Sequence, residues 1–417
     1  MARLTLTLRQ PARFGGRSKG INVLETEKYL PGSVVRGAFA SAWVLRNGRP
    51  SGPECTGSGR EEFIRLFEGG IRFAPLFAGP PFFPLSVVTH KPGGGEGCPW
   101  RDVDLTDLRA EPTHRTAVER IRERGCCPAC QEPLVQLKEL LGVPPLHRRT
   151  SVAIHEEGVA RRAQLYTRET FSPRVSFVGN ISGPPDLLAV LRDLGEIRVG
   201  GRRTTHGLGT VRIEDAAVAG TPERYGSDRI VLRLASPGVF VDHTGRPVRD
   251  PDPDELREVL GAEVRVERRW TRWTETCGWH MASGLPKPAE LAVAPGSTYV
   301  LRCDPRPEDA ALLRLAERGI GLRRHEGFGD LAPPPPLRPG REWIVRRYAA
   351  VTTLSRYRWW TTLVERLTDH AEGRRTAREL RETIRGMPGG LERDMLLEVL
   401  DLPREHFTIL LDSWRTP

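Results

Sequence analysis

Long hydrophobic runs are absent from this 417-residue sequence, which also contains few lysines and only seven cysteines. No stretch approaches the roughly 18 consecutive apolar residues that a membrane-spanning helix requires. The first residues, Met-Ala-Arg-Leu-Thr-Leu-Thr-Leu, alternate like a strand rather than resembling a secretion signal. We therefore expect a cytoplasmic protein, in which disulfides are disfavoured and cysteines are reduced or bind metal.

The charge of the sequence is strongly of one sign. The net charge is +10 and the isoelectric point is near 9.6, and almost every basic residue is arginine. A GC-rich genome also favours arginine, so the net excess carries more weight than the choice of residue. That excess indicates a polyanionic partner such as a nucleic acid.

The periodicity of apolar residues predicts a mixed α+β protein, long enough for two domains and an appendage. A two-stranded ribbon and a helical C-terminal region are expected in addition to the single strands and helices. The predicted elements are strands at 2–9, 175–181, 229–235 and 297–303, a two-stranded ribbon over 149–171, and helices at 184–194, 253–261, 307–318 and beyond 346.

A loop that enters a helix lies at residues 29–43. Pro31 and Gly32 end the preceding segment, and Ser33 is a candidate N-cap because its hydroxyl can accept an amide of the first turn. Arg36 lies in that turn, where free amides and the helix dipole favour an anion. An ordinary capped amphipathic helix explains the same pattern.

Three other segments combine glycine with basic residues. The first is a loop at 13–20, the second a strand–loop–strand at 197–213, and the third a loop at 319–331 that ends in Gly-Phe-Gly. Glycine permits close backbone approach and positive φ, and the cations suit a phosphate backbone. Solvated loops and hairpin turns explain these segments equally well.

The cysteines gather in an irregular region between 51 and 150. Cys98 precedes the sequence Cys126-Cys127-Pro-Ala-Cys130, and such a spacing is typical of a structural zinc site. We predict zinc bound by Cys98, Cys126, Cys127 and Cys130, although the fourth ligand stays open among Cys126, His114, His90 and Cys55. A metal-free loop is the alternative. Cys277 and Cys303 are expected to be single buried thiols.

The ordered motifs at 29–43, 197–213 and 319–331 resemble those of the RAMP superfamily of CRISPR-associated proteins. They are most similar to the handle-binding, tandem-RAMP subunit of type III-D effector complexes, over about residues 1–335. The resemblance implies two ferredoxin-like (RRM-like) domains at 1–220 and 226–335. It implies a cysteine-rich, zinc-knuckle insertion in the first of them at about 51–150, followed by a helical appendage at 345–417.

The same resemblance implies a non-catalytic RNA-binding subunit in antiviral defence. It would hold the 5′ repeat-derived handle of the guide RNA (crRNA) and would lie next to the large polymerase-like subunit and the RAMP backbone subunits, meeting target RNA only indirectly. Tyr29, Phe171 or Phe328 are expected to stack on bases. The residues expected to contact RNA are Arg13, Arg17, Lys19, Ser33, Arg36, Arg161, Arg162, Gly200, Gly201, Arg202, Arg203, His206, Gly207, Gly209, Arg323, Arg324, His325, Gly327 and Phe328.

Two enzymatic alternatives remain at this level. A metal-independent endoribonuclease that processes precursor guide RNA could use His155, His206 or His325, with Tyr166 assisting. A backbone subunit that cleaves target RNA would by resemblance carry an aspartate before the Pro-Gly-Ser motif, and residues 10–30 contain none. The appendage is expected to dock protein, with Trp359 and Trp360 either in that interface or packed inside.

Overall fold

The computed structural model describes residues 1–15, 23–50, 57–79, 82–90, 102–106, 112–127, 130–136, 144, 146–201, 206–216, 220–225, 228–280, 285–333, 348–387, 391–400, 402 and 404–415. Within these residues the chain forms seventeen strands and ten α-helices, which confirms the α+β class.

The elements follow one another in chain order with short turns between many of them. The strands are β1 (Ala2–Leu8), β2 (Val23–Leu24), β3 (Arg72–Phe73), β4 (Val87–His90), β5 (Asp102–Asp104), β6 (Leu134–Gln136), β7 (Leu146–Ile154), β8 (Ala160–Phe171), β9 (Ser176–Ser182), β10 (Glu196–Arg198), β11 (Leu208–Asp215), β12 (Glu223–Tyr225), β13 (Arg229–Arg233), β14 (Glu263–Trp270), β15 (Trp273–His280), β16 (Leu285–Val293) and β17 (Thr298–Asp304). The helices are α1 (Gly32–Asn47), α2 (Gly57–Phe67), α3 (Pro112–Arg124), α4 (Pro185–Arg192), α5 (Pro253–Leu260), α6 (Asp309–Arg318), α7 (Trp360–Ala371), α8 (Ala377–Arg385), α9 (Leu391–Val399) and α10 (Arg404–Arg415).

The chain divides into two compact units. Unit one consists of residues 1–84 and 143–334, and unit two consists of residues 85–142 and 335–417. Unit one therefore contains all three of the glycine-rich segments, whereas unit two contains the Cys-x-x-Cys sequence and the C-terminal helices. The domain boundaries predicted inside unit one, near residues 220 and 226, stay a prediction.

The first sheet of unit one has the strand order β10-β11-β1-β9-β3, and each neighbouring pair is antiparallel. Strand β1 lies in the centre, and the alternation that predicted it is explained by Leu4, Leu6 and Leu8, which all point into the core. Helices α1 and α4 cover this core, to which α1 contributes the buried Phe39 and Trp43. The succession is β1, α1, β3, β9, α4 and β11.

The second sheet of unit one has the order β12-β13-β17-β14. Helix α5 follows β13 and helix α6 follows β17, and both bury leucines against the sheet, such as Leu256 and Leu315. The helix predicted at 307–318 is confirmed at Asp309–Arg318. Strand β13, helix α5, strands β14 and β17 and helix α6 thus repeat the first five elements of that succession.

Two long ribbons extend from these sheets. Strands β7 and β8 pair antiparallel, as predicted for 149–171, and β2 adds to β8 in parallel to make a three-stranded sheet. Strands β15 and β16 form the second ribbon.

Unit two contains a small sheet of order β5-β4-β6 and a helical region. Helices α7 to α10 pack around a core of their own, in which Trp360 lies edge-on to Trp414 at 5.6 Å between ring centroids. The helical composition predicted beyond residue 346 is confirmed for the residues described there. Among the described helices, none is both long enough and apolar enough to cross a membrane.

Candidate nucleic-acid interface and metal cluster

The helix of the Pro-Gly-Ser motif begins two residues earlier than predicted. Pro31 is its N-cap residue, and the Pro31 carbonyl accepts from the amides of Val34 and Val35 at 2.9 and 3.1 Å. No side chain caps the helix, so the prediction that Ser33 is the N-cap is wrong. Proline precedes the helix with extended backbone and Gly32 opens it, which leaves Ser33 inside the first turn.

Arg36 is largely occupied by protein groups. Its Nε donates to the carbonyl of Phe67 at 2.6 Å, and its Nη2 donates to Glu68 at 2.8 Å. The side chain is 19% exposed and ties α1 to the chain at the end of α2. Its role in anion binding stays a prediction.

The Pro-Gly-Ser motif and the Gly-Phe-Gly loop meet in the structure. A Cβ placed on Gly32 would overlap the Phe73 carbonyl oxygen and would lie 2.8 Å from Glu326 O and 2.9 Å from the Cα of Gly327. Gly327 has φ of 85°, and a Cβ placed there would overlap the Phe73 carbonyl oxygen and lie 3.0 Å from the Cα of Gly32. Two motifs that are far apart in the sequence therefore form one close backbone contact between the two sheets.

The cations of the third glycine-rich segment, the loop at residues 319–331, are balanced by carboxylates. Arg323 adopts left-handed backbone (φ 55°), and its guanidinium lies 4.5 Å from the centroid of the Phe328 ring and donates to Glu326 and Glu290. Arg324 pairs with Glu255. This loop therefore offers little uncompensated positive charge to a phosphate backbone.

Glu326 is the centre of that balance. Its burial opposes ionisation, but hydrogen bonds and charges from Arg323 and Lys287 outweigh it and lower the pKa of the carboxyl to about 2. The neighbouring His325 is partly buried, which, together with the charge of Arg36, lowers its pKa. His325 is therefore mainly neutral at pH 7.

Arg13, at the start of the first basic loop, lies against Gly200 and Gly201 of the 197–213 segment. Arg13 is half-buried, its Nε donates to Glu25 O at 3.0 Å, and its own carbonyl accepts from the amide of Gly201 at 3.3 Å. Gly200 has φ of 81°, and a Cβ there would overlap the Arg13 carbonyl. Burial, followed by the charge of Arg168, lowers the pKa of Arg13. Arg13 and Arg168 thus act on each other at this junction.

Arginines on the β7–β8 ribbon extend this positive surface. Arg149 on β7 lies directly opposite Arg168 on β8, and like charges in such a pair repel each other. Arg148 and Lys28 share the buried carboxylate of Glu169, at 2.8 and 3.3 Å. Burial opposes the ionisation of Glu169, but these two cations lower its pKa.

We name Arg13, Arg149 and Arg168 the ribbon cluster. Within the part of the chain that the structure describes, Arg149 and Arg168 have no carboxylate partner. An anion that binds between them would relieve their repulsion. Sequence reasoning missed both residues, although the alternation of arginine and threonine in the ribbon was a usable signal.

Several of the predicted RNA contacts lie outside the side chains that the structure describes. Arg17, Lys19, Arg202 and Arg203 lie outside the described residues, and for Arg161 and Arg162 only their place on β8 is described. His206, Gly207 and Gly209 lie at the start of β11; Gly207 has φ of 82°, and Gly209 pairs with Leu8 and Ile197.

The three aromatic rings that were expected to stack on bases are buried. Phe171 is fully buried, and Tyr29 and Phe328 are each 8% exposed. Phe171 stacks on Phe14 with ring centroids 5.3 Å apart, and Tyr29 stacks on Phe77 at 5.4 Å. Their contribution is to the core, so the expectation of base stacking is not met for these rings.

A cluster of metal-binding side chains lies in unit two. The ligand atoms of His90, Cys127 and Cys130 lie within 4.8 Å of one another, and His90 Nε2 is 3.1 Å from Cys130 Sγ. His90 ends β4, and the amide of Gln131 donates to the Cys127 carbonyl at 3.0 Å. An imidazole and two thiols suit zinc.

This cluster differs in part from the predicted ligand set. Cys127 and Cys130 are in it, Cys126 is not one of the three, and Cys98 and Cys55 lie outside the described residues. His90 was one of the candidates left open for the fourth ligand. Of the two single thiols, Cys303 is buried as expected, whereas Cys277 is exposed on β15, so that expectation is wrong for Cys277.

Part of the chain is similar to a known protein family. Residues 144–332 match the model of a family described as CRISPR-associated protein (Cas_Cmr3). This segment contains the ribbon cluster apart from Arg13, and both the 197–213 and 319–331 loops. No curated protein matches the chain.

Three solved structures illustrate the structural similarity. A chain of the type III-B Cmr-beta complex bound to cognate target RNA and AMPPnP is 15% identical over 72% of this chain and 86% of its own, with a TM-score of 0.39. A chain of the Csm3–Csm4 subcomplex of the type III-A interference complex is 14% identical over 74% and 94%, with a TM-score of 0.34. A CRISPR-associated protein Cas6 is 11% identical over 80% and 99%, with a TM-score of 0.30.

Proposed function

The chain is a CRISPR-associated, RAMP-like protein, and from this premise we propose that it is a non-catalytic RNA-binding subunit of a type III effector complex. In this role it holds the 5′ repeat-derived handle of the guide RNA in antiviral defence. Its partners are then that RNA, the large polymerase-like subunit and neighbouring RAMP backbone subunits, in the cytoplasm. Target RNA is met only indirectly, through the guide.

The topology of unit one supports this proposal. Around each of its two sheets the chain follows the order strand, helix, strand, strand, helix. We interpret each sheet with its two helices as a ferredoxin-like domain, so that unit one contains two such domains in tandem. In the first sheet the four main strands have the order β11-β1-β9-β3, with the first strand in the centre. Sheets of this kind bind single-stranded RNA in recurrent recognition modules.

The observation that carries the proposal is the ribbon cluster. Arg149 and Arg168 are like charges on opposite strands, and Arg13 lies beside Gly200 and Gly201 at the same junction. Two arginines that repel each other are stabilised when a phosphate lies between them, since each guanidinium donates to phosphate oxygens with good geometry. The adjacent glycines let a polyanionic backbone approach closely.

The absence of catalysis is part of the proposal. His155 lies at the tip of the β7–β8 ribbon, His206 lies before β11, and His325 lies in the 319–331 loop, so the three histidines belong to three different loops. Metal-independent RNA cleavage requires an acid and a base at one phosphate. An endoribonuclease that processes precursor guide RNA is the alternative function.

We expect Arg168→Glu and Arg149→Glu each to weaken binding of single-stranded repeat RNA by about tenfold, because each removes a cation and places a carboxylate beside the RNA. The salt dependence should also become less steep, by about 0.7 in the logarithmic slope for each phosphate that the variant no longer neutralises. Fluorescence anisotropy with the full chain at several salt concentrations measures both. The fold should tolerate either change, since the new glutamate pairs with the remaining arginine across the strands.

The matched control is Arg314→Glu, on the exposed face of α6, which changes the net charge by the same amount. An equal loss of affinity in this variant would show that binding depends only on total charge. Electrophoresis of the same RNA after incubation tests the alternative function. Shortened RNA, lost after His206→Ala, would replace the non-catalytic proposal with the endoribonuclease.

We further propose that His90, Cys127 and Cys130 hold a structural zinc ion, with the fourth ligand open. Cys127 is 1% exposed and His90 is 7% exposed, so the ion would be shielded and would hold β4 against the Cys-x-x-Cys turn. Zinc in a closed site of this kind contributes to folding and not to a reaction.

Purified protein should contain about one zinc per chain, and Cys130→Ser should lose it, because a serine hydroxyl is a poor ligand for zinc. Elemental analysis measures the content, and thermal denaturation with and without chelator measures the linked stability. Cys277→Ser is the control, since that thiol is exposed on β15 and outside the cluster. Protein that is folded and free of zinc, with no response to chelator, would contradict the site.

A further inference from the structure

An exposed pair of stacked aromatic rings lies in unit two, outside the ribbon cluster. The rings of Tyr357 and Trp359 are 5.4 Å apart between centroids and inclined by 7°. Their residues are 42% and 37% exposed, and among the side chains that the structure describes no other aromatic reaches such exposure. The apolar core of the helical region does not need them, since the adjacent Trp360 supplies the contact with Trp414.

Arginines surround this pair. The Arg356 guanidinium lies 4.9 Å from the centroid of the Tyr357 ring and donates to the Tyr357 hydroxyl at 3.1 Å, and Arg358 is exposed between the two rings in sequence. Over residues 341–360 the sequence contains five arginines and a single acidic residue, Glu342. The rings therefore lie in a segment of strongly positive charge.

The backbone holds the pair in place. The amide of Tyr357 donates to Leu354 O at 3.0 Å, and the amide of Trp360 donates to Tyr357 O at 3.0 Å, which fixes the turn that leads into α7. Two rings that are already parallel and held by backbone hydrogen bonds lose little freedom when a third planar group stacks on them.

We propose that Tyr357 and Trp359 form a stacking platform for a base of single-stranded RNA, with Arg356 and Arg358 supplying charge to the adjacent phosphates. Every base has an aromatic face, so such a platform holds RNA without reading its sequence. Positive charge of this density complements a polyanion and not an apolar protein surface. The platform is a second RNA contact, on unit two, and it is independent of the ribbon cluster.

The test compares two probes of about 20 nucleotides, a labelled oligoadenylate and an abasic strand with the same number of phosphates. For the full-length Tyr357→Ala/Trp359→Ala variant we expect affinity for oligoadenylate to fall about tenfold, and affinity for the abasic strand to change less than twofold. The control variant Tyr357→Phe/Trp359→Phe keeps both rings and should bind oligoadenylate within about threefold of the unchanged protein. Circular dichroism verifies that each variant is folded.

Equal losses on both probes, or no loss on either, would overturn the platform. It would also be overturned if the alanine variant bound RNA normally but failed to co-purify with a protein partner, because the pair would then be a protein-docking surface. A failure of the ribbon-cluster proposal can be told apart from a failure of the platform. In that case Arg149→Glu and Arg168→Glu would bind RNA normally, while the Tyr357→Ala/Trp359→Ala variant would still lose affinity for oligoadenylate and not for the abasic strand.

Discussion

Replacing Gly32 with alanine is expected to lower the melting temperature of the protein by about 10 °C, an effect on the order of 4 kcal/mol. The added Cβ would overlap the Phe73 carbonyl oxygen and crowd the backbone of Gly327 at 2.9 Å. All of these are main-chain atoms, which cannot move aside as the end of a flexible side chain can. Relief therefore requires that α1 move away from β3 and from the 319–331 loop, and differential scanning calorimetry measures the cost.

Gly37 provides a matched control for this substitution. It lies in the same helix and the same sequence motif, but a Cβ placed there meets nothing within 4 Å. Gly37→Ala should therefore stabilise the protein by about 0.5–1 kcal/mol, because alanine is the better helix former. Equal destabilisation by both substitutions would contradict the importance of the Gly32–Gly327 contact.

The second large effect is expected at Arg72, a buried arginine on β3. Its Nη1 donates to Glu317 O at 2.8 Å and to Ala316 O at 3.3 Å, near the end of α6, and its Nη2 pairs with Asp330. Arg72→Met should destabilise the protein by about 3–5 kcal/mol, since it leaves the Asp330 charge buried and alone. Denaturant titration gives the change in the free energy of unfolding.

Two further variants test whether the buried, unpaired charge causes this loss of stability. The Arg65–Asp186 pair has the same charges at 2.8 Å, but both side chains are 60% exposed, so Arg65→Met should cost less than about 1 kcal/mol. The double variant Arg72→Met/Asp330→Leu should recover a large part of the loss, because the unpaired charge is removed. A double variant that is no more stable than Arg72→Met would show that the carbonyl contacts at α6 dominate.

The elements of the fold could be predicted from local sequence to a considerable extent. The alternation of Leu4, Leu6 and Leu8 predicts β1, and the spacing of apolar residues at 311–316 predicts α6. Both predictions succeed because burial of one face gives the apolar residues the period of a strand or of a helix. Capping could not be predicted as well. Serine is a preferred N-cap residue, but the helix begins at Gly32, where the close contact with Gly327 fixes the backbone.

The electrostatics of the candidate site depend on contacts that local sequence does not contain. Arg323 looks available in the sequence, but Glu290 lies 33 residues before it and reaches it only because the β15–β16 ribbon folds back. Arg149 and Arg168 show the opposite case, since strand register places two cations opposite each other and no carboxylate among the described residues pairs with them. The metal cluster is a further example, since His90 contacts Cys130 although the two residues are 40 positions apart in the sequence.

The central position of β1 has a consequence for synthesis on the ribosome. This strand emerges before its two partners, β9 and β11, which are translated only from residue 176 onward. The Arg72–Asp330 contact spans 258 residues. The nascent chain must therefore carry a leucine-rich strand with both edges unpaired while more than half of unit one is still being made. The strands of this sheet pair late because β1 and its partners are far apart in the sequence. The speed of translation and the shielding of the emerging strand therefore affect the yield of folded protein.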